Sequence, residues 1–114
     1  MSVRGNHSVE LLRELADGDL SRLETPEYQH PTAYEVAGLD AETYQLVGIA
    51  ALAAVDAPPV AWFMHLAGYG TTIQIEKVVG VLLAVSPLVG IPRVIAAASN
   101  VIGATDLAEE LEEP

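Results

Sequence analysis

The chain is 114 residues long and strongly acidic, with sixteen aspartates and glutamates against five lysines and arginines and a formal net charge of −11. So few basic residues, scattered along the chain, argue against binding to nucleic acid or to an anionic membrane surface. Cysteine is absent, which excludes disulfides, a thiol nucleophile and thiolate metal ligands. The length is that of one domain.

All of the net charge lies at the two ends of the chain. Residues 1–44 sum to −6 and residues 106–114 to −5, whereas the four formal charges in the block Gln45–Thr105 cancel. A soluble chain buries so apolar a block both inside its fold and against a neighbour. We therefore expect a homo-oligomer.

Two uncharged runs in this block raise the question of a membrane span, Ala57–Ile75 and Val78–Pro92. A spanning helix needs about 20 consecutive apolar residues, and both runs are interrupted by proline and glycine. The first residues, Met1–Gly5, lack the apolar stretch of a signal peptide. The sequence therefore favours a cytoplasmic protein with no membrane partner.

Residues 1–38 are expected to form a short N-terminal helix followed by an irregular arm. Apolar residues recur at helical spacing over Val9–Leu15, Ser8 can cap the start, and Gly18 ends the pattern. The arm, Thr25–Gly38, contains two prolines and three aromatic or imidazole rings. We interpret it as a segment that packs on a partner subunit.

The segment 39–105 is predicted to be a helical core. Apolar spacing and capping residues indicate four helices, at about residues 40–54, 59–69, 73–86 and 92–102. Asp40 can cap the first, Gly48 allows a close approach inside it, and Pro87 is expected to interrupt the third. The acidic tail, 106–114, is either a short extension of the last helix or disordered. No strand-like alternation is present, so the predicted fold class is all-α.

The order of these features resembles the carboxymuconolactone decarboxylase / alkylhydroperoxidase D-like family over about residues 39–104. The similarity begins at Leu39-Asp40, reaches the pair His65-Leu66, and is strongest over Gly80–Pro92. The resemblance implies an alkylhydroperoxidase D-like bundle of about five helices. It also implies a homotrimer, or a hexamer built from trimers, with ligand pockets near the subunit contacts.

The chain departs from that family at several positions. Redox members carry a Cys-x-x-Cys pair before the histidine, and Pro58 and Ala61 stand at those positions here. Because dithiol reduction of a peroxide needs an attacking thiolate and a resolving thiol, peroxidase activity is not expected. The decarboxylase branch does without the pair, but the family's arginine and glutamate are replaced here by Tyr44 and Gly80.

His65 is the candidate catalytic residue, because an imidazole can take up or release a proton near neutral pH. Trp62, one helical turn away, and Arg93, which could hold a carboxylate bidentately, are the candidate substrate-binding residues. The alternatives are a buried His65 bonded to a backbone carbonyl or a partner subunit, a core Trp62 and an intersubunit salt bridge at Arg93. His7 and His30 have no ligand spacing with His65, so neither a metal site nor a cofactor is predicted.

Two functions stay open at this point. The first is a cofactor-free lyase of the decarboxylase type, in which His65 moves a proton on a small carboxylate or lactone while Arg93 orients its anionic group. The second is a non-catalytic, oligomeric binding or assembly module on the same scaffold. They differ in whether His65 lines an open pocket with a second polar group within hydrogen-bonding reach.

Overall fold

The computed structural model describes residues 3–21, 24–26, 38–68 and 74–112. Among these residues there are helices, turns and bends but no strand, which confirms the all-α class for this part of the chain. The helices are α1 (Val3–Ala16), α2 (Ala41–Ala54), α3 (Pro59–Gly68), α4 (Ile75–Val89) and α5 (Ile91–Glu112). The chain divides into two compact units, Met1–Leu39 and Asp40–Pro114.

In the first unit, α1 begins earlier than the sequence predicts. It starts at Val3, so Ser8 lies inside the helix and does not cap it. Serine has an ordinary helix propensity, and nothing in its side chain obliges a helix to begin there. The predicted stop is correct, since Gly18 has a φ of 83° and its amide donates to the Leu15 carbonyl at 3.0 Å. Most of the predicted arm, residues 27–37, lies outside the described residues.

The second unit opens with the predicted cap. Asp40 stands before α2 in an extended conformation, and its Oδ1 accepts from the Thr43 amide at 2.7 Å. This hydrogen bond, joined by one from the Thr43 side chain, holds the pKa of the Asp40 carboxyl below its ordinary value of 3.8. The cap satisfies an amide that the first turn of a helix leaves without a partner.

The turn from α2 to α3 contains the one non-glycine residue of the described part with a positive φ. Asp56 adopts a φ of 52°, a region that aspartate tolerates better than most residues. The Ala57 amide then donates to the Leu52 carbonyl at 3.0 Å. Pro59 begins α3, where its missing amide costs no hydrogen bond.

Pro87 does not interrupt α4, contrary to the prediction. The helix continues through it to Val89, and a neighbouring side chain accounts for this. Proline cannot donate to the carbonyl four residues earlier, which belongs to Leu83. The Ser86 hydroxyl donates to that carbonyl at 2.9 Å instead.

The last helix runs past its predicted range of 92–102 into the acidic segment, which is one of the two alternatives that the sequence left open for that segment. Gly90, with a φ of 91°, separates α4 from α5, and α5 then runs from Ile91 to Glu112 without stopping at residue 102. The acidic segment is thus helical as far as Glu112. Alanine, leucine and glutamate dominate residues 107–112, and these residues favour the helix strongly enough to continue it past Gly103.

Helices α2 to α5 enclose the hydrophobic core of the second unit. Helix α2 contacts α3, α4 and α5, while α5 also packs on α3 and α4. The largest fully buried side chains are Trp62 and Ile49. Smaller buried residues fill the space around them: Ala53, Ala57, Val78, Leu82, Ala97 and Val101. This packing holds Trp62 in the core and holds together the helices that carry His65 and Arg93.

Candidate functional site

His65 joins α3 to α2. Its Nε2 lies 2.9 Å from the backbone carbonyl of Gln45, which is itself 2% exposed. Because a carbonyl can only accept, the proton of this hydrogen bond must be on Nε2. That proton cannot be passed to a substrate unless the link between the two helices is broken.

Gly48, one turn further along α2, lies directly against the imidazole. A Cβ built at Gly48 would be 2.5 Å from Nε2 of His65 and closer still to its Cε1, which is far inside van der Waals contact. The close approach predicted at Gly48 is therefore confirmed, and the side chain that makes it is the candidate histidine. Glycine in the middle of a helix costs about 1 kcal/mol relative to alanine, so the imidazole supplies a physical reason for its presence.

Arg93 joins α5 to the other end of α2. Its Nη1 donates to the backbone carbonyl of Ala54, in the last turn of that helix. Carbonyls in a last turn have no partner within the helix, and the end of the helix is partially negative. This acceptor explains a cation at the start of α5 without the carboxylate or anionic ligand that the sequence suggests.

Trp62 belongs to the core. It is 1% exposed and packs among the buried residues of α2, α4 and α5. The structure therefore places it away from any open surface on which a substrate could rest. The sequence allows Trp62 to be either a substrate-binding residue or a core residue, and the structure shows it in the core.

Lys77 and Glu42 form an ion pair between the first turns of α4 and α2. The two side chains are 43% and 56% exposed, respectively, so water screens the pair and it contributes at most about 1 kcal/mol. It is a surface link between helices and shows no feature of a site.

The three predicted site residues do not converge. The carbonyls that His65 and Arg93 contact belong to Gln45 and Ala54. These two residues are nine positions apart on α2 and thus about 13 Å apart along its axis.

Among the described residues no cluster of three His, Asp or Glu side chains could hold a metal. Within the same residues no helix is both long and apolar enough to cross a membrane.

Two open grooves run along α5, and the sequence reading missed both. The α3–α5 groove has a volume of about 310 Å³ and is formed by residues such as Phe63 and Asn100. The α4–α5 groove has a volume of about 350 Å³ and an apolar lining, with Thr105 and Asp106 at one end. His65, Trp62 and Arg93 line neither groove.

Comparisons of the chain with models of known protein families, with curated proteins and with solved structures each found no match.

Proposed function

We propose that the chain is a non-catalytic helical module that assembles with copies of itself. The observation that carries this proposal is the position of His65, whose ring is held between the Gln45 carbonyl and the backbone of Gly48. Both contacts join α3 to α2. A side chain used in this way stabilises the bundle and has its Nε2 proton engaged.

Self-association is supported by the amount of apolar surface on the second unit. Eleven large apolar side chains among its described residues are exposed, and four of them exceed 65% exposure: Val55, Met64, Leu88 and Ile91. So many exposed large apolar side chains favour a surface that another molecule covers. The strong negative charge at both ends of the chain keeps such a protein in solution while its middle is covered.

The rival function has less support. A lyase acting on a small anionic substrate needs His65 to exchange a proton and Arg93 to hold the anion. In the structure each of these side chains is bonded to a carbonyl of α2, Gln45 for the histidine and Ala54 for the arginine. Arg93 would have to leave its acceptor before it could hold an anion, and His65 could exchange a proton only through Nδ1, because Nε2 is bonded to the Gln45 carbonyl.

The family resemblance gives the proposal a more specific form. On that basis the second unit is an alkylhydroperoxidase D-like bundle, the assembly is a trimer or a hexamer built from trimers, and the protein is cytoplasmic. Dithiol peroxidase activity is not part of the proposal, since the chain has no cysteine.

Sedimentation equilibrium of the full chain over a wide concentration range tests the proposal. We expect a mass that is a multiple of the 12.0 kDa of one chain, with the fraction of assembled protein rising with concentration. A mass of 12.0 kDa at every concentration would contradict the proposed function.

A further inference from the structure

One face of α5 is apolar, exposed and uncovered in the single chain. Its members follow one another at alternating intervals of four and three residues: Ile91, Ile95, Ala98, Ile102 and Thr105. We call this face the α5 stripe. Its three isoleucines are 70%, 65% and 62% exposed in chain order. Alternation of four and three is the spacing of a helix face that packs along a second helix.

The α5 stripe can be covered without leaving a polar group unsatisfied. It carries no charge, and Ala98, Ile102 and Thr105 continue it into the apolar α4–α5 groove. The Thr105 hydroxyl donates to the Val101 carbonyl at 2.9 Å. Burying that hydroxyl therefore costs no hydrogen bond, whereas an unpaired buried donor would be destabilising.

We propose that the α5 stripe binds the same stripe of a second copy, with the two helices antiparallel about a twofold axis. This inference rests on the proposed self-association, and in a hexamer built from trimers the twofold contact is the one between the trimers. The isoleucine side chains of both stripes are removed from water when the two helices pack together, and this burial is the driving force for the contact.

Charge selects the antiparallel orientation. Residues 106–114 carry a charge of −5, and α5 remains helical to Glu112. Parallel helices would hold two such segments side by side, where they repel. Antiparallel helices carry each segment past the first turn of the partner's α5, where the helix presents the positive end of its dipole.

The spacing of the isoleucines selects one register. When Ile91 lies opposite Ile102 of the second copy, the twofold axis places Ile102 opposite Ile91, and Ile95 then lies opposite Ala98. Every isoleucine of the stripe meets an apolar side chain. A shift of one heptad in one direction would leave Ile102 beyond the start of the partner's α5, and a shift in the other would leave Ile91 beyond Thr105, the last residue of the partner's stripe.

A charge exchange across this register tests the inference. Ile91→Lys and Ile102→Glu each introduce an unpaired charge between the two packed stripes. We expect each to weaken association by about tenfold or more, because a buried unpaired charge is costly. The double variant sets lysine opposite glutamate in both contacts and should restore association. Within one chain the two positions are about 16 Å apart along α5, so they cannot compensate for each other there.

Sedimentation equilibrium of the wild type, both single variants and the double variant gives the result, with circular dichroism to check that each is folded. Gln74→Lys is the matched control, because Gln74 is an exposed polar residue just before α4, outside the stripe, and the association of this variant should not change. If the wild type is monomeric, the proposed function and this inference both fail. If the wild type associates but the single variants associate equally well, only the α5 contact is refuted. Single variants that dissociate without recovery in the double variant refute the antiparallel register.

Discussion

The imidazole of His65 occupies the space that a Cβ at Gly48 would need. The same ring donates from Nε2 to the Gln45 carbonyl, one turn earlier on α2. Gly48 and His65 therefore act together. Because Gly48 has no side chain, the imidazole of His65 on α3 can reach the backbone of α2 and bond to the Gln45 carbonyl. This pair of contacts is the strongest reason to assign His65 a structural role.

The first prediction concerns Gly48→Ala. Glycine to alanine inside a helix normally stabilises a protein by about 0.5–1 kcal/mol, but here the new Cβ must displace the imidazole. We expect a loss of about 1–3 kcal/mol in the free energy of unfolding, in the range of overpacked sites. Denaturant unfolding followed by circular dichroism measures it.

Gly80→Ala is the matched control for that variant. Gly80 also lies inside a helix, and a Cβ there would meet nothing within 4 Å, so this substitution should stabilise the protein. Combining Gly48→Ala with His65→Ala should remove the clash and turn the effect of the alanine from destabilising to stabilising. Equal effects of alanine at positions 48 and 80 would show that the imidazole does not constrain Gly48.

The second prediction concerns Pro87 and Ser86. Ser86→Ala removes the donor to the Leu83 carbonyl, and we expect a loss of about 0.5–1 kcal/mol in the free energy of unfolding. Pro87→Ala supplies a backbone amide for the same carbonyl and should stabilise α4. In the Pro87→Ala background, Ser86→Ala should then cost close to nothing. An unchanged cost in that background would mean that the hydroxyl does not replace the missing amide.

The third prediction is a pH dependence at Asp40. Its carboxyl has a lowered pKa in the folded protein because it accepts from the Thr43 amide. A lowered pKa stabilises the folded state at a pH above the unfolded value, and this contribution is lost as the pH falls through the lower folded value. Asp40→Asn keeps an oxygen acceptor but not the charge, so the wild type should melt higher than this variant near neutral pH.

Thermal melts of the wild type and Asp40→Asn between about pH 2 and pH 6 check this point. The difference in melting temperature should shrink below the ordinary carboxyl pKa of 3.8. Asp40→Ala is the comparison variant, since it lacks the acceptor and should stay below Asp40→Asn even in acid. A difference between wild type and Asp40→Asn that does not change with pH would contradict the assignment.

Much of the helical order could be predicted from the sequence because its signals are local. Apolar spacing located α2 to α5, and Asp40 marked the start of α2 by its own side chain. A prediction from one residue type fails where a neighbouring side chain replaces the hydrogen bond that the residue cannot make. Pro87 signals an interruption, but the hydroxyl of Ser86 satisfies the carbonyl that proline leaves without a donor.

The partners of the candidate site residues could not be predicted. His65 and Arg93 both contact backbone carbonyls of α2, and every residue carries a carbonyl, so no sequence pattern marks which one accepts. Gly48 was the one residue that signalled a close approach, although the residue that would fill the space became known only with the fold. The burial of Trp62 likewise follows from the packing of four helices and not from its spacing to His65.

The free energy of unfolding of His65→Ala tests the central claim most directly. If His65 holds α3 to α2, the variant should lose about 1–3 kcal/mol relative to the wild type, the cost of breaking a partly buried hydrogen bond. Met64→Ala, the neighbouring exposed position, should change stability by less than about 0.5 kcal/mol. A His65→Ala protein as stable as the wild type, or more stable, would contradict the account, because that is the behaviour of a residue kept for catalysis at the expense of stability.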